Sequence, residues 1–129
     1  MSAFQRIVQK MRVRLHPLTI NATVTTTAIG YADALYGGVV VSNLGAAAAV
    51  TFTLPKAVPG MRVSAVVQVA QELRLDPDGT ESVALPSTGV QSTGGSYITA
   101  NAIGETVELI CLHAGKWDCQ TYLGTWTAV

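Results

Sequence analysis

Hydrophobic and polar residues alternate along the middle of the chain. Residues 50–54 place apolar side chains between threonines, the period of a half-buried strand. Pro55 and Pro59-Gly60 interrupt this pattern, because proline cannot donate to a strand ladder and glycine suits tight turns. The alternation resumes over residues 61–69 and stops again at the Asp-Pro-Asp-Gly sequence of residues 76–79. The apolar positions expected on one face of the second run are Met61, Val63, Ala65, Val67 and Val69.

The same signals predict short strands along the rest of the chain. Loops are expected at residues 30–38, 43–45 and 87–96, and Ala114-Gly115 is expected to form a hairpin turn. No segment after residue 18 has a convincing helical period. Eight to ten short strands with a turn about every ten residues are typical of an antiparallel β-sandwich, jelly roll or barrel. We therefore expect an all-β, jelly-roll-like sandwich, whose further strands are residues 18–29, 39–42, 81–85, 97–100, 105–112 and 117–122.

The N-terminal residues fit two structures. Apolar residues at positions 4, 7, 8 and 11 have helical spacing, whereas those at 11, 13 and 15 alternate with basic residues as in a strand. Pro17 ends either structure. A lone helix of this length is marginal in water. We expect an extended arm over residues 1–18 and a β-sandwich body over residues 19–129.

Charge is sparse and unevenly placed. Charged residues make up 12% of the chain, and the net charge is zero. The arm contains four basic residues and no acid, so the rest of the chain has a net charge of −4. A basic arm on an acidic body predicts an acidic protein partner for the arm. The residues expected to bind it are Arg6, Lys10, Met11, Arg12, Val13, Arg14 and Leu15.

The sequence contains no strong signal for nucleic-acid binding, for a membrane span or for export. Four charges with one aromatic residue lack the stacking series of a nucleic-acid-binding arm, so no nucleic-acid partner is expected. No apolar run approaches a membrane span. The first ten residues also lack the apolar stretch of a secretory signal. We expect synthesis in a reducing cytoplasm, where thiols stay free.

Nothing in the sequence predicts catalysis. A nucleophile needs a neighbouring base, and the histidines are only His16, in the arm, and His113. Cys111 lies two residues before His113, but a core position is the expected role of this cysteine. A three-residue hairpin loop would bring Cys111 opposite Cys119, whereas a two-residue loop would bring Asp118 there.

Two other clusters have competing interpretations. Asp76, Asp78 and Glu81 offer oxygen ligands, but their spacing departs from a calcium-binding loop, so an exposed acidic turn without metal is expected. Three aromatic residues near the C-terminus suit a sugar-stacking platform for a host-surface glycan, or a core or subunit contact. They are Trp117, Tyr122 and Trp126.

Residues 38–129 resemble a recurrent module of tailed-bacteriophage virion proteins. The resemblance rests on an ordered series of short segments: VTFTLP at 50–55, PGMRV at 59–63, LRLDP at 73–77, GG at 94–95, IGETVEL at 103–109, GKW at 115–117 and GTW at 124–126. It implies a β-rich body that assembles as a trimer in capsid decoration (cement) proteins, head fibres or tail fibres. No catalytic residue and no cofactor come with it.

A compact body with a short basic arm fits a cement protein better than a fibre, which usually has long repeats or a coiled-coil shaft. The expected function is that of a capsid decoration protein. As a homotrimer it would bind the major capsid protein on the capsid exterior and stabilise the head. The alternative is a receptor- or carbohydrate-binding tip of a head or tail fibre.

Overall fold

The computed structural model describes residues 18–21 and 26–129, which are built mainly from short β-strands. The predicted all-β class is confirmed. Leu18, assigned above to the arm, is the first residue of a strand. The elements in chain order are β1 (Leu18–Asn21), β2 (Thr26–Ala28), α1 (Tyr31–Leu35), β3 (Val39–Ser42), β4 (Val50–Thr53), β5 (Arg62–Val66), β6 (Leu73–Asp76), β7 (Ser82–Val83), β8 (Ile98–Ala100), β9 (Thr106–His113), β10 (Lys116–Leu123) and β11 (Thr127–Ala128).

The strands form two sheets. Sheet A has the strand order β1-β3-β5-β9-β10-β7, and sheet B has the order β11-β8-β6-β4-β2. From β1 to β6 the chain alternates between the sheets. Strands that are neighbours in one sheet are therefore two apart in the chain, and they run parallel. These six strands wind as a coil of two strands per turn.

The sheets are mixed, which corrects the expectation of antiparallel sheets. Parallel neighbours need a long crossover, usually a helix, and the sequence showed no helical crossover. Here each crossover contains a strand of the opposite sheet, so parallel pairing arises without the long helix that usually forms such a crossover. Antiparallel pairing is confined to the later part of the chain, where β9 pairs with β5 and β10, and β8 pairs with β6 and β11.

The core lies between the sheets and follows the pairing register. Each large apolar side chain buried there contributes about 1.5–3 kcal/mol. Phe52 of β4 and Leu75 of β6 pair with each other and are fully buried from sheet B. Two inner rows cross sheet A, the first through Leu18, Val39, Val63 and Leu109, the second through Ile20, Val41, Ala65 and Val107.

The alternation over residues 61–69 is confirmed for most of its length. Met61, Val63, Ala65 and Val67 are buried, and Val69 is half-buried. Strand β5 ends at Val66, however, and the chain bends before it enters sheet B as β6. The sequence pattern does not mark this bend with glycine or proline.

Helix α1 lies within the segment predicted as a loop. Its first turn closes through hydrogen bonds from the Ala34 and Tyr36 amides to the carbonyls of Gly30 and Ala32, at 3.1 and 2.9 Å. Ala34 is buried in the core. Packing of Ala34 in the core, and of the half-buried Leu35 against it, thus stabilises a helical turn too short to have a recognisable period. No helix in residues 18–21 or 26–129 is long and apolar enough to cross a bilayer.

Strands β9 and β10 form the predicted hairpin around Ala114-Gly115, where Gly115 has a φ of +81°. Lys116 pairs with His113, but β10 then shifts register twice. Asp118 lies opposite Ile110 and Cys119 opposite Leu109. Neither expected partner of Cys111 therefore lies opposite it, and both cysteines are free thiols.

Candidate interaction surfaces

The strand directions give the sandwich two distinct ends. We call one the arm end, because β1 begins there at Leu18, the residue to which the N-terminal arm is joined. The Ala114-Gly115 turn lies at the same end. We call the opposite one the uncharged end, formed by loops 43–49, 67–71, 101–104 and 123–126. The predicted arm-binding residues lie outside the described part of the chain: Arg6, Lys10, Met11, Arg12, Val13, Arg14 and Leu15.

The two ends differ in charge. Within the bounds given, the four loops of the uncharged end contain no Asp, Glu, Lys, Arg or His. The two acids directly beside them are Glu72, which is ion-paired with Arg74, and Glu105, which is buried. The segments at the arm end contain both signs, with Lys56, Asp78, Glu81 and Lys116 among them. The sequence shows every one of these residues, but only the topology groups the four uncharged loops together.

Asn43 organises the first half of the uncharged end. It is fully buried, and all four of its side-chain hydrogen-bonding positions are used. The side-chain oxygen accepts from the Gln68 and Val69 amides at 2.8 and 3.2 Å. The side-chain nitrogen donates to the Val69 and Gln71 carbonyls at 3.1 and 2.9 Å. One side chain therefore fixes the bend between β5 and β6 from 25 residues away.

Glu105 organises the second half. This buried carboxylate accepts hydrogen bonds from the amides of Asn101 and Ala102 at 3.1 and 2.7 Å, and from the amide of Thr125. Burial acts to raise the pKa of Glu105, but the three amide donors outweigh it, so the pKa lies below its ordinary value. Glu105 thus joins loop 101–104 to the turn before β11.

The two halves are joined to each other. The Gly104 amide donates to the Val67 carbonyl, and the Val67 amide donates to the Glu105 carbonyl, both at 2.9 Å. This frame holds three apolar side chains in solvent: Leu44, Ile103 and Leu123 are 48%, 69% and 64% exposed. Exposed apolar side chains on loops that contain no charge make this end a candidate protein-binding surface.

The cysteine and histidine do not form a nucleophilic pair. Cys111 is buried and donates its thiol to the His113 carbonyl at 3.1 Å, while the His113 ring is exposed. Burial, followed by the charges of Glu81 and Asp118, raises the pKa of the Cys111 thiol. A raised pKa is the opposite of what a thiolate nucleophile needs.

The acidic turn has a structural role. Glu81 accepts a hydrogen bond from the Ala57 amide at 2.8 Å and so connects two loops of the arm end. Asp76 is half-buried, and burial raises its pKa. Within the described residues, no three His, Cys, Asp or Glu side chains come together as metal ligands.

The aromatic residues of the possible sugar platform do not share one surface. Trp117 and Trp126 are buried, and the Trp126 ring nitrogen donates to the Thr106 carbonyl at 2.9 Å. Tyr122 is exposed. The tryptophans are core residues, so they cannot stack on a sugar without rearrangement.

A charged cluster on the outer face of sheet B was missed by the sequence analysis. Arg74 forms an ion pair with Glu72 at 2.7 Å, and its guanidinium lies 5.2 Å from the centre of the Tyr97 ring. Thr99 donates to the same carboxylate at 2.9 Å. The hydrogen bond from Arg74 is the main reason why the pKa of Glu72 is lowered. The cluster joins β6 to β8 through the paired residues Arg74 and Thr99, which are 25 positions apart in the sequence, so no local pattern marks it.

Comparisons with known proteins add no relative to this description. No family model, no curated protein and no solved structure matches the chain.

Proposed function

We propose that the chain is a bacteriophage capsid decoration protein, which binds the major capsid protein on the outside of the head as a homotrimer. Its action is adhesive: each trimer connects neighbouring capsid subunits and opposes the pressure of packaged DNA. The proposal assigns no catalytic step, cofactor, nucleic acid or membrane to the chain.

The carrying observation is the difference between the two ends of the sandwich. A protein that joins two partners needs two attachment regions, and we assign these roles to two regions of different chemistry. The basic arm is joined at Leu18 on one end. The uncharged end presents Leu44, Ile103 and Leu123 on the other. The ordered likeness to phage virion modules supports the same function.

The arm supplies the electrostatic part of the proposed attachment. An exposed ion pair contributes only about 0.2–1 kcal/mol. Four basic residues on each of three linked chains still add up, because every contact after the first is intramolecular. Attachment through the arm is therefore expected to weaken as salt screens the charges.

The alternative is a glycan-binding fibre tip, which the resemblance to virion modules also implies. Its expected stacking platform needed exposed tryptophans, and Trp117 and Trp126 are in the core. The decoration function uses the exposed loops of the uncharged end together with the arm, whose predicted binding residues lie outside the described part of the chain.

The test uses DNA-free, expanded capsid shells of the phage whose genome encodes this chain. Purified protein is mixed with shells and sedimented. We expect saturable binding and a higher temperature of shell disassembly. Changing Arg6, Lys10, Arg12 and Arg14 to Gln should weaken binding most at low salt, and Lys56→Gln at the arm end is the control for loss of one exposed charge. If the protein does not co-sediment with the shells at any salt concentration, the proposal is wrong.

A further inference from the structure

Among the described residues, strand β1 is an edge of sheet A, and its apolar side chains are only partly covered. Along the first inner row of this sheet, the exposed fraction falls from 37% at Leu18 to 2% at Val39 and 0% at Val63. Ile20 in the second row is half-buried, whereas its neighbour Val41 is fully buried. Both β1 side chains belong to the inner face, but no strand of the described chain covers them from the side.

The backbone of β1 also faces outward. The Leu18 amide donates to the Gly38 carbonyl at 3.1 Å, toward β3. Alternate residues of a strand turn their N–H and C=O groups to opposite sides, so Thr19 and Asn21 turn theirs away from β3. Both residues are exposed. Natural edge strands are usually guarded by charge, proline or a covering segment, and β1 contains neither charge nor proline.

The opposite edge of sheet A shows such a guard. Residues 91–95 run beside β7, where the Ser92 amide donates to the Val83 carbonyl and the Gly95 amide to the Glu81 carbonyl, both at 2.9 Å. The first turn of the coil has no comparable cover among the described residues. Repetitive β-structures need their terminal turns capped. We therefore expect another strand to pair with β1 at this edge.

We propose that β1 accepts residues 11–15 of a second copy of this chain as an additional strand. In that strand Met11, Val13 and Leu15 lie on one face and cover Leu18 and Ile20 of the neighbour. Arg12 and Arg14 lie on the other face, where they remain available to an acidic capsid surface. This inference rests on the trimer of the proposed function and identifies the contact that forms it.

We assign the added strand to a second copy because the link between residues 11–15 and β1 is too short for the two to pair within one chain. Only His16 and Pro17 separate residue 15 from β1. A two-residue hairpin needs a left-handed first residue, and the residue before proline is held in an extended conformation. Crossing between the sheets at the arm end takes ten residues from β2 to β3 and eight from β4 to β5. Two residues fit neither route.

The main variant is Thr19→Pro in the full-length chain. It removes an outward amide from an edge strand, a position where proline is tolerated. The matched control is Ala128→Pro in β11. The Val129 amide donates to the Tyr97 carbonyl at 3.0 Å, so the Ala128 amide is the outward one on that edge. Sedimentation should show Thr19→Pro as the 13.5 kDa monomer and Ala128→Pro as a trimer. Equal melting cooperativity of the two variants establishes that both are folded.

Complementation then tests exchange between copies. A full-length chain with Met11→Ser, Val13→Ser and Leu15→Ser has an intact edge and a defective arm, whereas Thr19→Pro has the reverse. Each alone should be monomeric, and an equal mixture should form one-to-one heterodimers. Three results would each overturn the inference. Thr19→Pro could be trimeric, the two variants could stay monomeric when they are mixed, or the wild-type chain could be monomeric. If Thr19→Pro is trimeric but no longer binds shells, a capsid strand occupies β1, and only this inference fails. A monomeric wild-type chain overturns the proposed trimer as well.

Discussion

Asn43 and Glu105 are buried polar side chains that stabilise the uncharged end through backbone groups alone. Each satisfies several amides or carbonyls that would otherwise be unpaired away from water. They differ in charge and in the groups they face. Asn43 both donates and accepts, whereas Glu105 only accepts. At both positions the difference from wild type should therefore shrink as pH falls, because Glu105 loses its charge in the wild type, whereas an Asp at position 43 gains a proton in the variant.

Glu105→Gln should destabilise the chain at pH 7 by about 1–3 kcal/mol, because hydrogen bonds to a charged acceptor are replaced by weaker ones. The pKa of Glu105 is lower in the folded chain than in the unfolded chain. Its stabilisation is thus fully present above about pH 4.3 and is lost as pH falls through the folded pKa. Urea unfolding should show a difference between wild type and variant that shrinks at pH 3. Asp78→Asn, at an exposed position, is the control, and a pH-independent difference would contradict this role.

Asn43→Asp should destabilise the chain at pH 7 by about 2–4 kcal/mol, because a carboxylate would face the Val69 and Gln71 carbonyls without a proton to donate. Burial and these acceptors should raise the pKa of the new Asp above its unfolded value of about 3.9. Its protonated form is then favoured in the fold, so part of the lost stability should return as pH falls toward 4. Urea midpoints of Asn43→Asp relative to wild type at pH 7 and pH 4 measure this, and an unchanged gap would contradict it.

At the scale of elements, the turn between β10 and β11 depends on Gly124. Its φ is +89°, and a Cβ there would lie 2.5 Å from Cγ and Oε2 of Glu105. Gly79 also has a positive φ, +51°, but a Cβ at that position would meet nothing within 4 Å. Substitutions at Gly124 and Gly79 therefore distinguish two free-energy costs. A left-handed non-glycine backbone is common to both positions, whereas displacement of the Glu105 carboxylate is expected only at Gly124.

Gly124→Ala should therefore lower the free energy of unfolding more than Gly79→Ala does. A left-handed non-glycine residue costs about 1–3 kcal/mol at either position, and only Gly124→Ala also disturbs the hydrogen bonds of Glu105. Chemical denaturation of the two variants beside the wild type gives the comparison. Similar losses for both would mean that Glu105 relaxes freely around the added methyl group.

The strands were predictable from local pattern, whereas their partners were not. Alternation and turn residues mark β3, β4 and the β9–β10 hairpin closely, because each depends on neighbours in sequence. The direction of pairing depends on which sheet the next strand enters, and alternation within one strand does not record it. The bend before β6 is held by the distant Asn43, and the two register shifts of β10 have no glycine or proline to mark them.

The candidate surfaces were predictable only in part. The basic arm is a local charge pattern, and the sequence shows it directly. The uncharged end joins loops more than 70 residues apart in the sequence, so it emerges only from the topology. Tryptophans look alike in sequence whether they stack on ligands or on the core, and the structure places both in the core.

At the scale of the whole molecule, the uncharged end makes a testable contribution to attachment. Ile103→Glu should reduce occupancy on capsid shells several-fold, because a charge would be desolvated in an apolar contact. Ile103 is exposed, so stability should change by less than about 0.5 kcal/mol. Val90→Glu is the matched control, since Val90 is 65% exposed in a loop outside this end. Shell co-sedimentation with both variants gives the answer, and equal occupancy would remove this end from the attachment surface.

The alignment of the strands between the two ends has a mechanical consequence. If the ends are attached to different partners, tension acts along the strands. Neighbouring strands in that geometry are loaded in shear, so the hydrogen bonds of a ladder share the force instead of breaking one after another as in a zipper. The parallel pairs β1–β3–β5 and β2–β4–β6 cannot peel apart from a hairpin turn, because no hairpin joins them. The sandwich should therefore resist tension between its ends better than tension across its sheets.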